Sequence, residues 1–250
     1  MYDNRHVDSN TCRIVDNVNL DGRRAQVCGK RLGRRGSANA QPWRRRRQYT
    51  INSDRSAKAA NDLMLVFLDF EASSLAKQSY PIEVAWVFAD GRSETHLIRP
   101  ASSWTDWHED AEAIHHISRS TLLSAGEPHD VVAQRMIDVL SGHDLLASAP
   151  SWDGKWLSVL LRGAGLGRRA LRLRDTDDAI DEDARMILAP SVPPDLLAAT
   201  VENLVTLIEM RARGKAPAHR ALADAEAERQ RWLAVRGAAT ELAEQYRRGG

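Results

Sequence analysis

Residues 63–71 read Leu-Met-Leu-Val-Phe-Leu-Asp-Phe-Glu, an apolar run that ends in two carboxylates. A continuous run of this length is typical of a strand that is buried on both faces of a sheet. Because side chains alternate along a strand, we expect Asp69 and Glu71 to project from the same face at its carboxyl end. Two carboxylates so close repel each other unless a cation lies between them, although a solvated strand end is an alternative interpretation.

Further strands and helices are predicted on the carboxyl-terminal side of this run. Strand-like runs follow at 82–88 and 94–98, joined through Asp90-Gly91, which is a strong hairpin signal. Residues 101–126 are expected to be loop and short helix. Two more strands are predicted at 144–149 and 171–174, and helices at 127–140, 153–161, 176–188, 195–212 and 221–246. The order predicts an α/β domain with a mixed five-stranded sheet flanked by helices.

Charge is distributed unevenly along the 250 residues. Residues 1–60 hold 14 Lys and Arg against 5 Asp and Glu, a net charge of +9, whereas the remainder holds 21 against 29, a net charge of −8. Overall 43% of residues are hydrophobic, which suits one medium domain with an appendage. An acidic body matches a polyanion poorly unless cations neutralise its carboxylates, so the composition favours bound metal for any such partner.

The first 62 residues are predicted to form a basic, disordered extension to a globular domain at 63–250. Their composition has few periodic apolar positions and cannot offset the entropy of ordering the backbone. The run Arg44–Arg47 could contact phosphate, or the segment could be a solvated tail. A third interpretation is a wrongly assigned start upstream of Met64, which a native amino terminus near Met1 would contradict.

The sequence carries no sign of a disulfide framework, a zinc site or a secretion signal. Its two cysteines, Cys12 and Cys28, both lie in the basic extension. No apolar run reaches 18 residues, and the first 20 residues lack the hydrophobic region of a signal peptide. We therefore expect a cytoplasmic protein.

Three other residues complete a set that could hold metal and move a proton. Asp153 lies in the first turn of a predicted helix, where the helix dipole favours its charge, although an ordinary capping role is the alternative. His219 and Asp224 follow Pro217, which suits a helix start, so His219 is expected near the mobile start and Asp224 a turn and a half inside. Such spacing permits a fixed carboxylate beside a histidine that can approach a water. Each element is weak by itself.

Together these elements resemble the DnaQ-like 3′ to 5′ exonucleases, the DEDDh family, which have a ribonuclease H-like fold. The resemblance covers residues 63–235. Its motifs are matched, in order and spacing, by Asp69-Phe70-Glu71, Trp152-Asp153, His219-Arg220-Ala221-Leu222-Ala223-Asp224-Ala225, and Ile114-His115-His116-Ile117-Ser118.

Three departures from the family pattern lie where such enzymes hold the terminal nucleotide. Ser148-Ala149 replaces the usual His-Asn pair upstream of the second-motif Asp. The usual Thr-Thr-Gly or Thr-Ser-Gly after the first motif appears as Ala72-Ser73-Ser74, and His116 replaces a glycine. These departures put the identity of the substrate in doubt, but not the metal ligands.

The resemblance implies a two-metal phosphodiesterase. Asp69, Glu71, Asp153 and Asp224 would hold two Mg²⁺ ions, for which Mn²⁺ would substitute, and His219 would be the general base. The expected reaction releases nucleoside 5′-monophosphates from the 3′ end of single-stranded nucleic acid, with DNA favoured. The predicted substrate contacts are Phe70, Ala72, Ser73, His115 and Trp152. Trp104 and Trp107 could also stack on a terminal base, or they could be packing residues.

Other functions share parts of this pattern. An RNA-trimming member of the same family would have every catalytic residue, because recognition of the 2′-hydroxyl cannot be read from these motifs. A nucleic-acid-binding module that has lost catalysis would be expected to lack at least one ligand, whereas all four carboxylates and the histidine are present here. The carboxyl-terminal helix is interpreted as a solvated amphipathic face, with a homodimer interface as the alternative.

Overall fold

The computed structural model describes residues 64–212 and 218–249. The predicted extension at 1–62, with both cysteines and the Arg44–Arg47 run, lies outside the described residues. The strands within them are β1 (Leu65–Ala72), β2 (Pro81–Phe88), β3 (Ser93–Arg99), β4 (Glu127–Pro128), β5 (Asp144–Ala147) and β6 (Leu173–Asp175). The helices there are α1 (Glu109–His115), α2 (Arg119–Ala125), α3 (His129–Leu140), α4 (Pro150–Gly163), α5 (Thr176–Leu188), α6 (Pro194–Ala212) and α7 (Ala221–Gly249).

The strands form one mixed sheet in the order β4-β3-β2-β1-β5-β6. β2 is antiparallel to both β1 and β3, whereas β5 is parallel to β1 and β6. The predicted α/β class with a mixed sheet is confirmed, and β1, which lies in the predicted apolar run, is a central strand.

The sheet has six strands among the described residues, where the sequence predicted five. The addition is β4, whose residues Glu127 and Pro128 pair with Ile98 and Arg99 at the edge. The sequence pattern placed these two residues in the following helix, which instead begins at His129. Pro128 takes an extended conformation, with φ −53° and ψ 134°, and proline is tolerated at a sheet edge because it has no N–H to donate.

The hairpin predicted at Asp90-Gly91 joins β2 and β3. The Phe88 N–H donates to the Arg92 carbonyl, and Gly91 has a φ of +93°, a conformation that glycine adopts without a Cβ penalty. The hairpin keeps β2 in antiparallel register with β3 and, on its other side, with β1. In that register Glu71 lies directly opposite Glu83.

The two faces of the sheet are covered by different helices. Val66, Leu68 and Phe70 pack on one face with residues such as Met136 of α3 and Leu160 of α4. Phe67 packs on the other face with Ile180 of α5 and Trp232 of α7, the Phe67 and Trp232 ring centroids being 5.7 Å apart. Burying a side chain of this size contributes about 1.5–3 kcal/mol, so both layers hold β1 firmly in place. Among the described helices, none combines the length and apolar character needed to cross a bilayer.

Candidate metal centre

Three carboxylates converge where β1 ends beneath α7. Asp69, Glu71 and Asp224 each offer an oxygen, and these oxygens all lie within 4.8 Å of one another. The strand period places the first two on the face that α7 covers, and α7 supplies the third from its first turn. Within residues 64–212 and 218–249, this is the one group of three or more side chains so arranged.

The electrostatics of this acidic trio fit a divalent cation. Burial raises the pKa of Asp69 to about 9, and the charges of Asp153, Glu71 and Asp224 add to that effect. Burial also raises the pKa of Glu71 to about 7, with Asp224 as the next cause. The charge of Arg220 lowers the pKa of Glu71 but does not offset these effects, and a hard cation with oxygen ligands would supply further positive charge.

Asp153 lies beside the trio but is not one of the three mutually close carboxylates. It occupies the first turn of α4 and is 2% exposed. Burial raises its pKa to about 7, against the opposing effect of backbone N–H groups at Phe70 and Ala149. Its charge is the second-largest cause of the raised pKa of Asp69, so the structure brings the fourth carboxylate to the edge of the same site.

His219 lies at the exposed start of α7, two residues before the helix begins. Its φ is +52°, a left-handed conformation that costs a non-glycine residue about 1–2 kcal/mol. The Ala218 N–H donates to Asp224 Oδ1 at 3.0 Å, which ties the chain just before His219 to the carboxylate five residues after it. The histidine is therefore accessible to solvent, and the residue before it is hydrogen-bonded to one member of the trio.

Glu83 is a residue that sequence reasoning missed. It is 2% exposed on β2, and it accepts hydrogen bonds from Arg220 Nε at 3.0 Å and Arg220 Nη2 at 2.6 Å. It also accepts one from the Ala221 N–H at 3.0 Å. The available signal was a lone glutamate in the otherwise apolar run 81–88, together with the arginine of the third motif.

The loop that follows β1 is held by two further residues that the sequence did not single out. Asp106 accepts hydrogen bonds from Ser73 Oγ at 2.9 Å and Ser74 Oγ at 2.6 Å. Lys155 Nζ of α4 donates to the Ala76 carbonyl at 2.6 Å and to Ser79 Oγ at 2.8 Å. These hydrogen bonds hold the loop that follows the first motif. No local sequence pattern around Asp106 or Lys155 predicted them.

The five predicted substrate contacts are placed very differently. Trp152 is 39% exposed in the first turn of α4, next to Asp153. The side chains of the other four are buried: Phe70, Ala72, Ser73 and His115. Of this set, only the indole of Trp152 is open to solvent in the structure, and contacts of all five with a substrate stay predictions.

Trp104 and Trp107 are partly buried and make contacts within the protein, whereas His116 is exposed. Trp104 stacks on Tyr80, with ring centroids 5.3 Å apart, and Trp107 Nε1 donates to Glu112 at 2.8 Å. His116 ends α1 with a φ of +56°, in the left-handed region that glycine adopts most easily. This conformation explains why a glycine is expected there in the motif that the segment resembles.

The mixed sheet with helices on both faces agrees with the ribonuclease H-like fold. The fold predicted from the motifs is confirmed by comparison with solved structures.

The solved structures that share this fold include those of exonuclease I. Its ligand-free form superposes with a TM-score of 0.51 at 16% identity, over 73% of this chain and 44% of that chain. The Escherichia coli enzyme in complex with a dA16 oligonucleotide gives a TM-score of 0.50 at 16% identity, over 72% and 42%. The chain thus spans about two fifths of the length of these proteins. By sequence, no family model and no curated protein matches it.

Proposed function

We propose that the chain is a metal-dependent 3′ to 5′ exonuclease that degrades single-stranded DNA to nucleoside 5′-monophosphates. The observation that carries the proposal is the convergence of Asp69, Glu71 and Asp224, with Asp153 beside them, at the end of a buried strand. Exonuclease I in complex with an oligodeoxynucleotide has the same fold, which supports DNA as the substrate. Fold alone does not define activity, so the carboxylates carry the argument.

The four carboxylates would hold two Mg²⁺ ions, and Mn²⁺ would substitute. Mg²⁺ binds through a few carboxylates and completes its shell with water and phosphate oxygens, which suits a site of this composition. When bound, such ions stabilise the attacking and leaving oxygens of an in-line displacement at phosphorus.

The other residues act on the water and on the nucleic acid. His219 accepts the proton of the attacking water, for which its exposed position and its imidazole are suited. Asp69 and Glu71 are presented by a rigid strand, and this limits their motion during the reaction. Trp152 supplies an aromatic surface for an unpaired base next to Asp153.

The proposal is tested by incubating the full chain with 5′-labelled single-stranded DNA and with RNA of the same sequence, in Mg²⁺, Mn²⁺ or chelator. We expect a ladder that shortens from the 3′ end of DNA only when metal is present. Preferential shortening of RNA would replace the proposed substrate by the RNA-trimming alternative. Tight DNA binding with no cleavage in either metal would overturn the enzymatic proposal and favour a binding module.

A further inference from the structure

We propose that Glu83 is a positioning residue that sets His219 against the metal-binding carboxylates, acting through Arg220 and Ala221. The inference rests on the proposed function, since it assigns Glu83 a part in catalysis. Glu83 itself contacts neither metal nor substrate in this scheme. Its carboxylate accepts hydrogen bonds from the two residues that immediately follow the histidine.

The geometry of these hydrogen bonds is specific. Glu83 Oε1 and Oε2 accept from Arg220 Nη2 and Nε at 2.6 and 3.0 Å, a bidentate arrangement that fixes orientation as well as distance. Glu83 Oε2 also accepts the Ala221 N–H, one of the backbone donors that a helix leaves free in its first turn. One carboxylate on the sheet therefore anchors both the side chain before α7 and the helix start.

The position of Glu83 on the sheet is as important as the hydrogen bonds that it accepts. Glu83 lies opposite Glu71 in the β1–β2 register, so both side chains project from the face that α7 covers. An interaction between Glu83 and the start of α7 thus sets the distance from that start to the carboxylates of β1. Glu83 is the link between the strand that carries two ligands and the segment that carries the base.

The backbone of His219 gives a reason for such an anchor. A non-glycine residue with a φ of +52° persists only where its surroundings hold it there. Burying the charge of Glu83 is costly, and an apolar residue of similar volume would serve packing as well or better. A role in positioning the adjoining segment explains why a carboxylate is nevertheless present here.

Asp224 is less dependent on Glu83. It lies in the first turn of α7, and its Oδ1 accepts the Ala218 N–H directly. Loosening the Glu83 anchor should therefore displace His219 more than it displaces the metal ligand. This difference predicts a separation between the rate of the reaction and the affinity for metal.

The test compares Glu83→Gln with Glu94→Gln in the full chain. Glu94 is a matched control, because on β3 it forms an equally bidentate pair with Arg135 of α3, at 2.7 and 2.9 Å, with no bond to α7. For Glu83→Gln we expect kcat at saturating Mn²⁺ to fall by about tenfold to a hundredfold. The Mn²⁺ activation constant and the KM for an oligodeoxynucleotide should change by less than about threefold, which is under 0.7 kcal/mol. Glu94→Gln should leave all three unchanged.

Amide hydrogen exchange over residues 218–226 supplies a measurement that does not depend on activity. Exchange there should become faster in Glu83→Gln and remain unchanged in Glu94→Gln. An unaltered kcat in Glu83→Gln, or a weakening of Mn²⁺ activation as large as the loss of kcat, would overturn the positioning role. A wild-type protein without nuclease activity would overturn the proposed function, and faster exchange in Glu83→Gln would then still support the anchor itself.

Arg220→Lys keeps the test decisive if Glu83→Gln does not fold. The Arg220 side chain is half exposed, so the substitution preserves its charge at little cost to the core while removing the bidentate fork. We expect the same loss of kcat in a smaller amount, with Mn²⁺ activation retained. Wild-type kinetics in Arg220→Lys would contradict the proposal.

Discussion

The two faces of β1 meet the protein interior in opposite ways. Val66, Leu68 and Phe70 lie on one face and are buried in an entirely apolar layer. On the other face Phe67 is buried against Trp232, but the next two residues of that face are Asp69 and Glu71. Desolvation favours the first arrangement and opposes the second, as the raised pKa of Asp69, about 9, reflects.

The apolar face of β1 therefore serves folding, and the acidic end of its other face serves the proposed function. An apolar face needs no partner beyond its packing neighbours. The acidic end of the other face is unfavourable until a cation neutralises it, so its presence on a rigid central strand points to metal binding rather than to stability. Substitutions on the two faces should therefore have opposite consequences.

Removing the acidic character of one face should have the largest effect. Asp69→Asn is expected to lower Mn²⁺-dependent nuclease activity by about 10³-fold, because a metal contributes several kcal/mol of charge stabilisation in the transition state. In the metal-free protein at neutral pH the same variant should be about as stable as wild type, since the raised pKa of Asp69, about 9, leaves that side chain protonated and uncharged, as asparagine is. Kinetics and thermal unfolding measure the two effects. Asp90→Asn, in the exposed hairpin, is the control, and retention of activity by Asp69→Asn would reject the site.

Damage to the apolar face should have the reverse pattern. Leu68 is 2% exposed, and Leu68→Ala should lower the free energy of unfolding by about 2–5 kcal/mol through lost burial and the cavity left behind. Activity per folded molecule should change little, because Asp69 and Glu71 project from the opposite face of β1. Urea unfolding, with activity assayed well below the transition, separates these quantities. A variant with wild-type stability and lost activity would contradict the division of the two faces.

The apolar and acidic patterns of β1 could both be recognised in the sequence, whereas the short edge strand β4 could not. β1 was predicted because its run of apolar residues satisfies burial locally, and the carboxylates of the candidate site were predicted from their spacing and from three motifs. β4 was missed because two residues carry no periodicity of their own, and only pairing with Ile98 and Arg99 defines them.

The supporting residues of the candidate site could not be predicted for a related reason. The bond from Arg220 to Glu83 joins residues 137 apart in the chain, and those from Ser73 and Ser74 to Asp106 cross a loop. Such pairs depend on how the elements pack. The predicted substrate contact Phe70 shows the complementary difficulty, since its membership of a motif did not reveal that its side chain faces the apolar layer.

The pH dependence of stability should distinguish the acidic face of β1 from its apolar face. Because the folded protein raises the pKa of Asp69 to about 9 and of Glu71 to about 7, it binds more protons than the unfolded chain between pH 4 and these values. Their contribution to stability is therefore present below about pH 4 and is lost as pH rises through 7 and then 9. The loss is at most about 1.4 kcal/mol per pH unit for each group.

Thermal unfolding with and without Mg²⁺ between pH 5 and pH 9 measures this dependence. We expect the Tm of the metal-free protein to fall with rising pH, and the stabilisation by Mg²⁺ to grow, because protons leave the site as the metal binds. Asp69→Asn should flatten the metal-free slope. Stability that rises with pH in this range, without metal, would contradict the raised pKa of Asp69.

The smallest effect is expected outside both faces of β1, at Trp152. Lys155 Nζ already lies 5.0 Å from the centroid of the Trp152 ring, so part of the aromatic surface is occupied, and stacking should contribute at the low end of its range, about 1 kcal/mol. Trp152→Ala should therefore raise the KM for single-stranded DNA by about fivefold while kcat stays near wild type. Trp152→Phe should restore most of the loss, and Met186→Ala, which truncates an exposed apolar side chain on α5, should have no effect. A fall in kcat with an unchanged KM would place Trp152 with the catalytic carboxylates rather than with the nucleic-acid surface.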